Sequence, residues 1–324
     1  MNTITKRGRF NQINCYLNQI NKINFKSNNV NDNKHKMETK PTLYYFYTSF
    51  YSQKVLMFLK EKEVDFQAHM VNLPDGETQS DWYLQINPRG EVPSLKVLSL
   101  ESGERNINGS DNILQYLETN KIGNGKSLYP TDPEFLSKHN YFVERLNSLP
   151  IDAITFGTAF FPNIRRKKKL PIKWPFTKKL KSNILNRSET LRKKAKENSG
   201  TPAESVLLSK AEEHDKRIHL FTNEEEHKLL LREVQTILDE IEKELVSHKG
   251  YLWLINDEFS VADCILAILL NRLHFLGHED YMASNVRPLL ASWWGRVKDR
   301  KSFLESTKQP NIPFFILKSK LGCV

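Results

Sequence analysis

Between Leu43 and Glu118 the spacing of apolar residues alternates between strand and helix periods, and beyond Asn120 no strand pattern returns. L-Y-Y-F-Y from Leu43 predicts a short buried strand, Val55, Phe58 and Leu59 fall at helical spacing, and Phe66 to Val71 predicts a second strand. After a polar loop rich in turn residues, Pro93 to Leu100 supplies a third strand with a hairpin partner around Asn106 and Ile107. Ser110 or Asp111 then caps a helix whose Ile113, Leu114 and Leu117 share one face. The order is βαβ followed by ββα, a small sheet that must be covered by helices.

The second half reads as helical throughout. Val234, Ile237, Leu238, Ile241 and Leu245 repeat at i, i+3, i+4, i+7 and i+11. Ser260-Val261-Ala262-Asp263 opens an almost wholly apolar stretch through Leu276, which predicts a helix buried on most sides. Ser260 and Asp263 are spaced to cap it reciprocally, with Phe259 as the staple residue. Such a cap stabilises a helix start by about 0.5–2 kcal/mol, so Asp263 is read as structural rather than catalytic.

Charge divides the chain. The net +10 comes from two segments, since residues 1–42 hold eight basic and two acidic side chains and residues 163–200 hold fourteen and two. The remainder is mildly acidic, which weakens a nucleic-acid reading based on net charge. The first forty residues carry ten asparagines and no acid before Asp32, and are read either as a disordered leader or as a targeting segment. In the second basic segment R-R-K-K-K and K-K-L-K mix with Trp174 and with Pro162, Pro171 and Pro175. It is expected to be an insertion at about residues 163–205, loop-like at first and helical from about Lys178, because proline breaks any long helix there. No recognised nucleic-acid module accompanies it, so nucleic acid is not an expected partner. A solvated, flexible face is the plain alternative.

Cys15, Cys264 and Cys323 are odd in number and far apart, with no C-x-x-C and no His/Cys spacing for a metal, which implies a reducing compartment, the cytoplasm. No uncharged apolar run approaches the roughly 18 residues of a spanning helix. The turn Thr48-Ser49-Phe50-Tyr51 sits at a helix start, where free N–H groups favour an anion. Dithiol oxidoreductases carry C-x-x-C at such a turn; this one has no cysteine, so dithiol exchange is excluded and any thiolate held there belongs to a ligand. At Val92-Pro93, a cis bond would offer the Val92 backbone groups to an extended peptide. Ser110, at the next helix start, offers a hydroxyl and an N–H to a carboxylate. Each has a structural reading beside it: Ser49 as a helix-start residue, Pro93 as a turn residue, Tyr51 as an exposed aromatic instead of a second donor.

S-x-x-S-x-K-V (Ser49 to Val55), N-P-x-G-x-V-P (Asn87 to Pro93), S-D-N-I-L-Q-Y-L-E (Ser110 to Glu118) and F-S-V-A-D (Phe259 to Asp263) together resemble the glutathione S-transferase superfamily. T-S-F-Y-S-Q-K-V, V-N-L-P with Trp82, L-P-I-D-A (Leu149 to Ala153), the long insertion, R-L-H-F-L-G (Arg272 to Gly277) and Arg287-Pro288 resemble, more narrowly, its ganglioside-induced differentiation-associated family. The resemblance covers about Leu43 to Ile316.

It implies an α/β thioredoxin-like N-terminal domain (41–121) followed by an all-α glutathione transferase-like C-terminal domain (122–310) that carries the basic insertion, with a tail at 311–324. It further implies glutathione as co-substrate, Ser49 as the residue that donates to the glutathione thiolate, Val92 and Pro93 as the backbone clamp, and Ser110 at the γ-glutamyl carboxylate. The Glu or Gln usual before that serine is Gly109 here, so the γ-glutamyl ammonium lacks a partner unless Asp111 substitutes. A polar group left unpaired costs about 1–3 kcal/mol, so glutathione affinity is expected to be reduced. The second substrate would be a small apolar electrophile between the domains, and a homodimer is compatible with the fold. The narrower resemblance implies instead a non-catalytic adaptor at the mitochondrial outer membrane surface, linked to mitochondrial network dynamics. That family carries a C-terminal spanning helix. The chain stops at Cys323-Val324, so the anchor is expected to be absent, with Arg165 to Lys181 as a peripheral contact to anionic membrane.

Overall fold

A computed structural model describes residues 40–99, 103–164, 176–248 and 250–308. The readings of the leader, of the tail and of the Arg165–Lys169 run lie outside these residues. The expected four strands and two helices form: β1 (Thr42–Tyr45), α1 (Phe50–Glu61), β2 (Gln67–Met70), β3 (Ser94–Ser99), β4 (Gly103–Asn108) and α3 (Ser110–Thr119). The sheet order is β2-β1-β3-β4. β1 runs parallel to β2, with Leu43 opposite Ala68, and antiparallel to β3, with Leu43 opposite Leu95. β3 and β4 make the antiparallel hairpin, Leu95 facing Ile107.

Alternation along β1 sorts its two faces. Leu43 is fully buried against Val55, Met57, Phe58, Leu59, Ile113, Leu114 and Leu117 of α1 and α3. Tyr44 points the other way, its ring 5.1 Å from His69 and 6.1 Å from Tyr83. Tyr83 belongs to α2 (Asp81–Ile86), a helix within the segment expected to be a polar loop. At six residues it is shorter than two turns, too short for a periodic signal.

The helical half comprises α4 (Pro133–Asn147), α5 (Ile151–Phe160), α10 (Glu224–Ser247), α11 (Val261–Leu276), α12 (Pro288–Lys298) and α13 (Lys301–Thr307). Among the described residues no strand follows Asn120. α11 is the predicted central helix, buried at every position from Val261 to Leu270. Ser260 caps it, with Asp263 Oδ2 accepting from the Ser260 N–H at 3.0 Å and the Ser260 hydroxyl at 2.7 Å. Asp263 Oδ1 also accepts from the Leu254 N–H at 2.8 Å and Trp293 Nε1 at 3.0 Å, so one carboxylate ties three segments together.

Both halves share one apolar core. α1 packs on α11 and α13, and at its C-terminal end Glu61 receives Arg300 bidentately at 2.5 and 2.7 Å and also the Ser302 hydroxyl. The Arg300 guanidinium lies 4.1 Å from the Phe259 ring centroid, stacked while it is paired.

The insertion differs from expectation. α6 begins at Phe176 and runs to Leu185, close to the predicted start, but α7 (Arg187–Glu197) and α8 (Pro202–Arg217) then form an antiparallel helix pair that extends well past residue 205. A four-residue helix, α9 (His219–Thr222), leads into α10. Pro202 stands at the first turn of α8, where its missing N–H is no loss, so it starts a helix rather than ending one. Leu191, Ala195, Ala203, Leu207 and Ala211 bury a seam between α7 and α8 that also takes in Leu84 of α2. From Phe176 onward the insertion is thus folded structure, and its α7–α8 pair is seated on the N-terminal domain.

Candidate functional site

The sheet register brings the three predicted segments to one end. Tyr44 pairs with Ser94, Ser94 pairs with Asn108, and the Gly109 N–H donates to the Pro93 carbonyl at 3.2 Å. The turn after β1, the start of β3 and the start of α3 therefore adjoin. The Val92–Pro93 bond is cis, the isomer considered above for its consequence for the Val92 backbone.

Ser49 is the N-cap of α1: its Oγ accepts from the Ser52 N–H at 3.3 Å and its own N–H donates to the Phe46 carbonyl at 2.9 Å. Capping uses the oxygen as acceptor and leaves the O–H free to donate. No acidic side chain occupies the first turn, so the positive helix end is not neutralised from within. Arg272 of α11 reaches across the domains and donates from Nη2 to the Thr48 carbonyl at 2.6 Å. Burial pulls its guanidinium down to about 10. Tyr51 is 41% exposed. Partial burial, then the Asp152 carboxylate, push its phenol up, while Arg217 opposes them.

The loop before Pro93 is held from beneath. The Tyr83 hydroxyl and Asn87 Nδ2 each donate to the Glu91 carbonyl at 2.7 Å, and Asn87 Nδ2 also reaches Ser94 Oγ at 3.2 Å. Gly90 has φ +57°, and a Cβ there would stand 2.6 Å from the Thr78 carbonyl oxygen, so this turn admits only glycine without rearrangement. The N-P-x-G-x-V-P motif is in this respect a device that fixes where the Val92 backbone lies.

At α3 the cap reading needs correction. Gly109, at φ +88°, is the N-cap, and Ser110 is the first helical residue, buried. Glycine takes the cap because the chain leaves β4 with a positive φ that a serine would occupy at a cost. Asp111 follows in the first turn, and its Oδ1 accepts from Lys54 Nζ at 2.7 Å and Asn147 Nδ2 at 3.2 Å. Lys54 is wholly buried; desolvation pulls its ammonium down, and Asp111 offsets that. One oxygen of Asp111 is thus engaged, and only the other is open to a ligand ammonium. Sequence reasoning did not single out this role of Lys54; the signal was a lysine inside an otherwise apolar helical run.

The α7–α8 pair borders the same loop. Lys210 Nζ lies 3.7 Å from Glu91 Oε1, and Lys194 Nζ lies 3.5 Å from Gln79 Oε1. Both approach over glycines: a Cβ at Gly90 would be 3.5 Å from Lys210 Cε, and one at Gly76 would be 3.1 Å from Lys194 Nζ.

A four-stranded sheet with a cis Val-Pro bond at one end, joined through one core to a helical half, defines a protein of the glutathione S-transferase class. Two family descriptions match it, glutathione S-transferase, N-terminal domain, over residues 48–120 and glutathione S-transferase, C-terminal domain, over residues 222–296. The chain belongs to the glutathione S-transferase superfamily and, within it, to the ganglioside-induced differentiation-associated protein 1-like family. It is 30% identical over 279 residues to human ganglioside-induced differentiation-associated protein 1-like 1, covering 81% of this chain and 72% of that protein. It is 26% identical to glutathione S-transferase TCHQD of Arabidopsis thaliana, covering 81% of this chain and 87% of that one. Among solved structures the beta-etherase LigF of Sphingobium superposes with a TM-score of 0.55 at 23% identity, over 83% of this chain and 98% of that chain. A glutathione transferase of Burkholderia graminis, solved with two glutathione molecules per subunit, gives a TM-score of 0.55 at 16% identity, over 84% of this chain and 89% of that chain. Among the described residues no helix is long and apolar enough to cross a membrane.

Proposed function

We propose that the chain binds glutathione at the end of the sheet where Ser49, Val92–Pro93 and Ser110 adjoin, and that Ser49 stabilises the thiolate there. The observation that carries this is the register: the Gly109 N–H to Pro93 carbonyl bond and the Tyr44–Ser94 pairing bring two helix starts and a cis-proline loop together. The Burkholderia graminis relative with bound glutathione supports the reading at the level of the fold.

The residues present fit most of the tripeptide. Ser49 has an O–H to donate, which would favour the ionised thiol. Ser110 offers the first-turn N–H groups of a ten-residue helix to a carboxylate. The fit is incomplete at the γ-glutamyl ammonium, because Gly109 has no side chain and Asp111 is shared with Lys54 and Asn147. Glutathione supplies a nucleophilic sulfur when bound; Ser49 keeps it ionised, and an apolar electrophile would approach from the helical half.

Calorimetric titration of the intact protein and of Ser49→Ala with glutathione, paired with chlorodinitrobenzene conjugation, tests this. Binding by the wild-type protein with conjugation that falls at least about tenfold in Ser49→Ala is the expected result, since losing a hydrogen bond to a charged group costs about 1.5–3 kcal/mol. Gly109 favours a second reading, in which the same fold serves as a non-catalytic adaptor for a protein partner. Absence of glutathione binding in both proteins would support it.

A further inference from the structure

We infer that Lys54 engages the carboxylate at the start of α3 and thereby sets the ligand preference there: a thiol peptide whose terminal carboxylate gains nothing from an adjacent ammonium. The inference deepens the glutathione reading and rests on it for the place of the ligand. It begins with the acids at hand. Asp111 is the single acidic residue in the first turn of α3. Position 109 is glycine at φ +88°, and a Cβ there would meet only Asn112 Nδ2, at 3.7 Å, so the space is open but holds no acid. At this helix start, the counter-charge for a ligand ammonium rests with Asp111.

Asp111 is already matched. Lys54 Nζ donates to its Oδ1 at 2.7 Å and to Asn147 Oδ1 at 3.1 Å, and Asn147 Nδ2 closes the triangle on Asp111 Oδ1 at 3.2 Å. The three residues come from α1, α3 and α4, so both halves of the chain fix the carboxylate. Burial is one-sided: the Lys54 side chain is wholly buried, whereas that of Asp111 is 62% exposed. A buried ammonium cannot exchange its partner for water, but a ligand ammonium at the mouth of the site can.

Paired in this way, Asp111 presents a dipole and not a net negative charge. A second cation at Oδ2 would be repelled by Lys54 across the same carboxylate. The free N–H groups at the start of α3 remain available to a carboxylate. Lys54 is thus a positioning residue that acts through Asp111, and its effect falls on one group of the ligand.

The test is calorimetric titration of the full chain with glutathione and with glutaryl-cysteinyl-glycine, the same peptide without its α-amino group. Wild type is compared with Lys54→Met and Lys54→Gln, with circular dichroism as the fold check. Either change removes a buried charge, and Asp111, being exposed, is not stranded by it. Wild type is expected to bind the two peptides within about threefold of each other, and each variant to shift the ratio toward glutathione by at least about threefold, the worth of an exposed ion pair with the freed Asp111. Lys54→Met/Asp111→Asn should return the ratio to that of wild type. A wild-type preference for glutathione beyond about threefold overturns the inference and spares the glutathione reading, because the ammonium then has a partner. A smaller shift in both folded variants does the same. Should neither variant fold, the wild-type ratio decides. Binding of the deamino peptide alone by wild type upholds the inference and removes glutathione as the ligand. Binding of neither peptide by any of the proteins overturns both.

Discussion

Arg272 Nη2 lies 2.6 Å from the carbonyl oxygen of Thr48, so a side chain from the central helix of the helical half holds the turn that presents Ser49. The guanidinium is pulled down by burial, and among the described residues no carboxylate is paired with it. Its retention at a desolvation cost is explained by the turn it fixes.

Arg272→Ala should therefore loosen the turn. The Thr48 carbonyl would lose a charge-assisted bond, and the expected destabilisation is on the order of 1–3 kcal/mol, reduced by the relief of a buried charge. Amide exchange at Phe50 to Gln53 should quicken more than exchange in β3. Equal quickening throughout the N-terminal domain would mean that Arg272 acts on global stability and does not position the turn.

Asp263 is expected to be the least replaceable carboxylate in the described fold. Its two oxygens accept from the Ser260 N–H and hydroxyl, the Leu254 N–H and Trp293 Nε1, all buried. Asp263→Ala leaves several buried donors without an acceptor, at about 1–3 kcal/mol each before relaxation, so a loss of about 3–5 kcal/mol is expected in urea unfolding. Asp263→Asn, which keeps one acceptor oxygen, should lose less. Glutathione binding per folded molecule should be unchanged in Asp263→Asn, which separates this structural role from a catalytic one.

What was legible in the sequence was local. Ser260 and Asp263 are three residues apart and announce their cap; Val92-Pro93 marks its own bend; the strands and long helices show in periods of two and 3.6. What was not legible depends on partners far along the chain. Lys54 reads as one charge in an apolar run until Asp111 and Asn147 are brought to it, and Arg272 meets Thr48 across 224 residues. The α7–α8 pair was hidden because charged residues of both signs dominate its composition, while three of the five residues of its seam are alanines, which carry little hydrophobic signal. The Asp111 role suggested by the missing residue at position 109 could not include Lys54's claim on the same oxygen.

Gly157 and His227 offer a packing test. A Cβ at Gly157 would lie 2.3 Å from His227 Nδ1, so α5 and α10 approach closely only because residue 157 has no side chain. Gly157→Ala should destabilise by about 1–3 kcal/mol through overpacking, less the few tenths gained from alanine's helix propensity. In a His227→Ala background the same change should cost much less, giving a coupling above about 0.5 kcal/mol in a double-mutant cycle. Additive effects would show that the backbone yields and that the contact does not set the helix spacing.

His227 also predicts an acid-sensitive fold. Its ring is fully buried, neither nitrogen has a hydrogen-bond partner among the described residues, and burial, then the charge of His278, bring it down to about 4. In the unfolded chain a histidine titrates near about 6.5. Between these values the unfolded chain binds a proton that the native fold refuses. Stability is therefore full above about 6.5, falls as pH drops, and stops falling from this source below about 4. His139 and His214, also lowered by burial, add to the loss in the same direction. His227→Leu removes one of the three and two unpaired ring nitrogens with it. The melting temperature of that variant should match or exceed wild type at pH 7.5 and should decline less steeply between about pH 6.5 and 4. An unchanged decline would show that His227 is protonated without cost, through water or a partner reached by local opening.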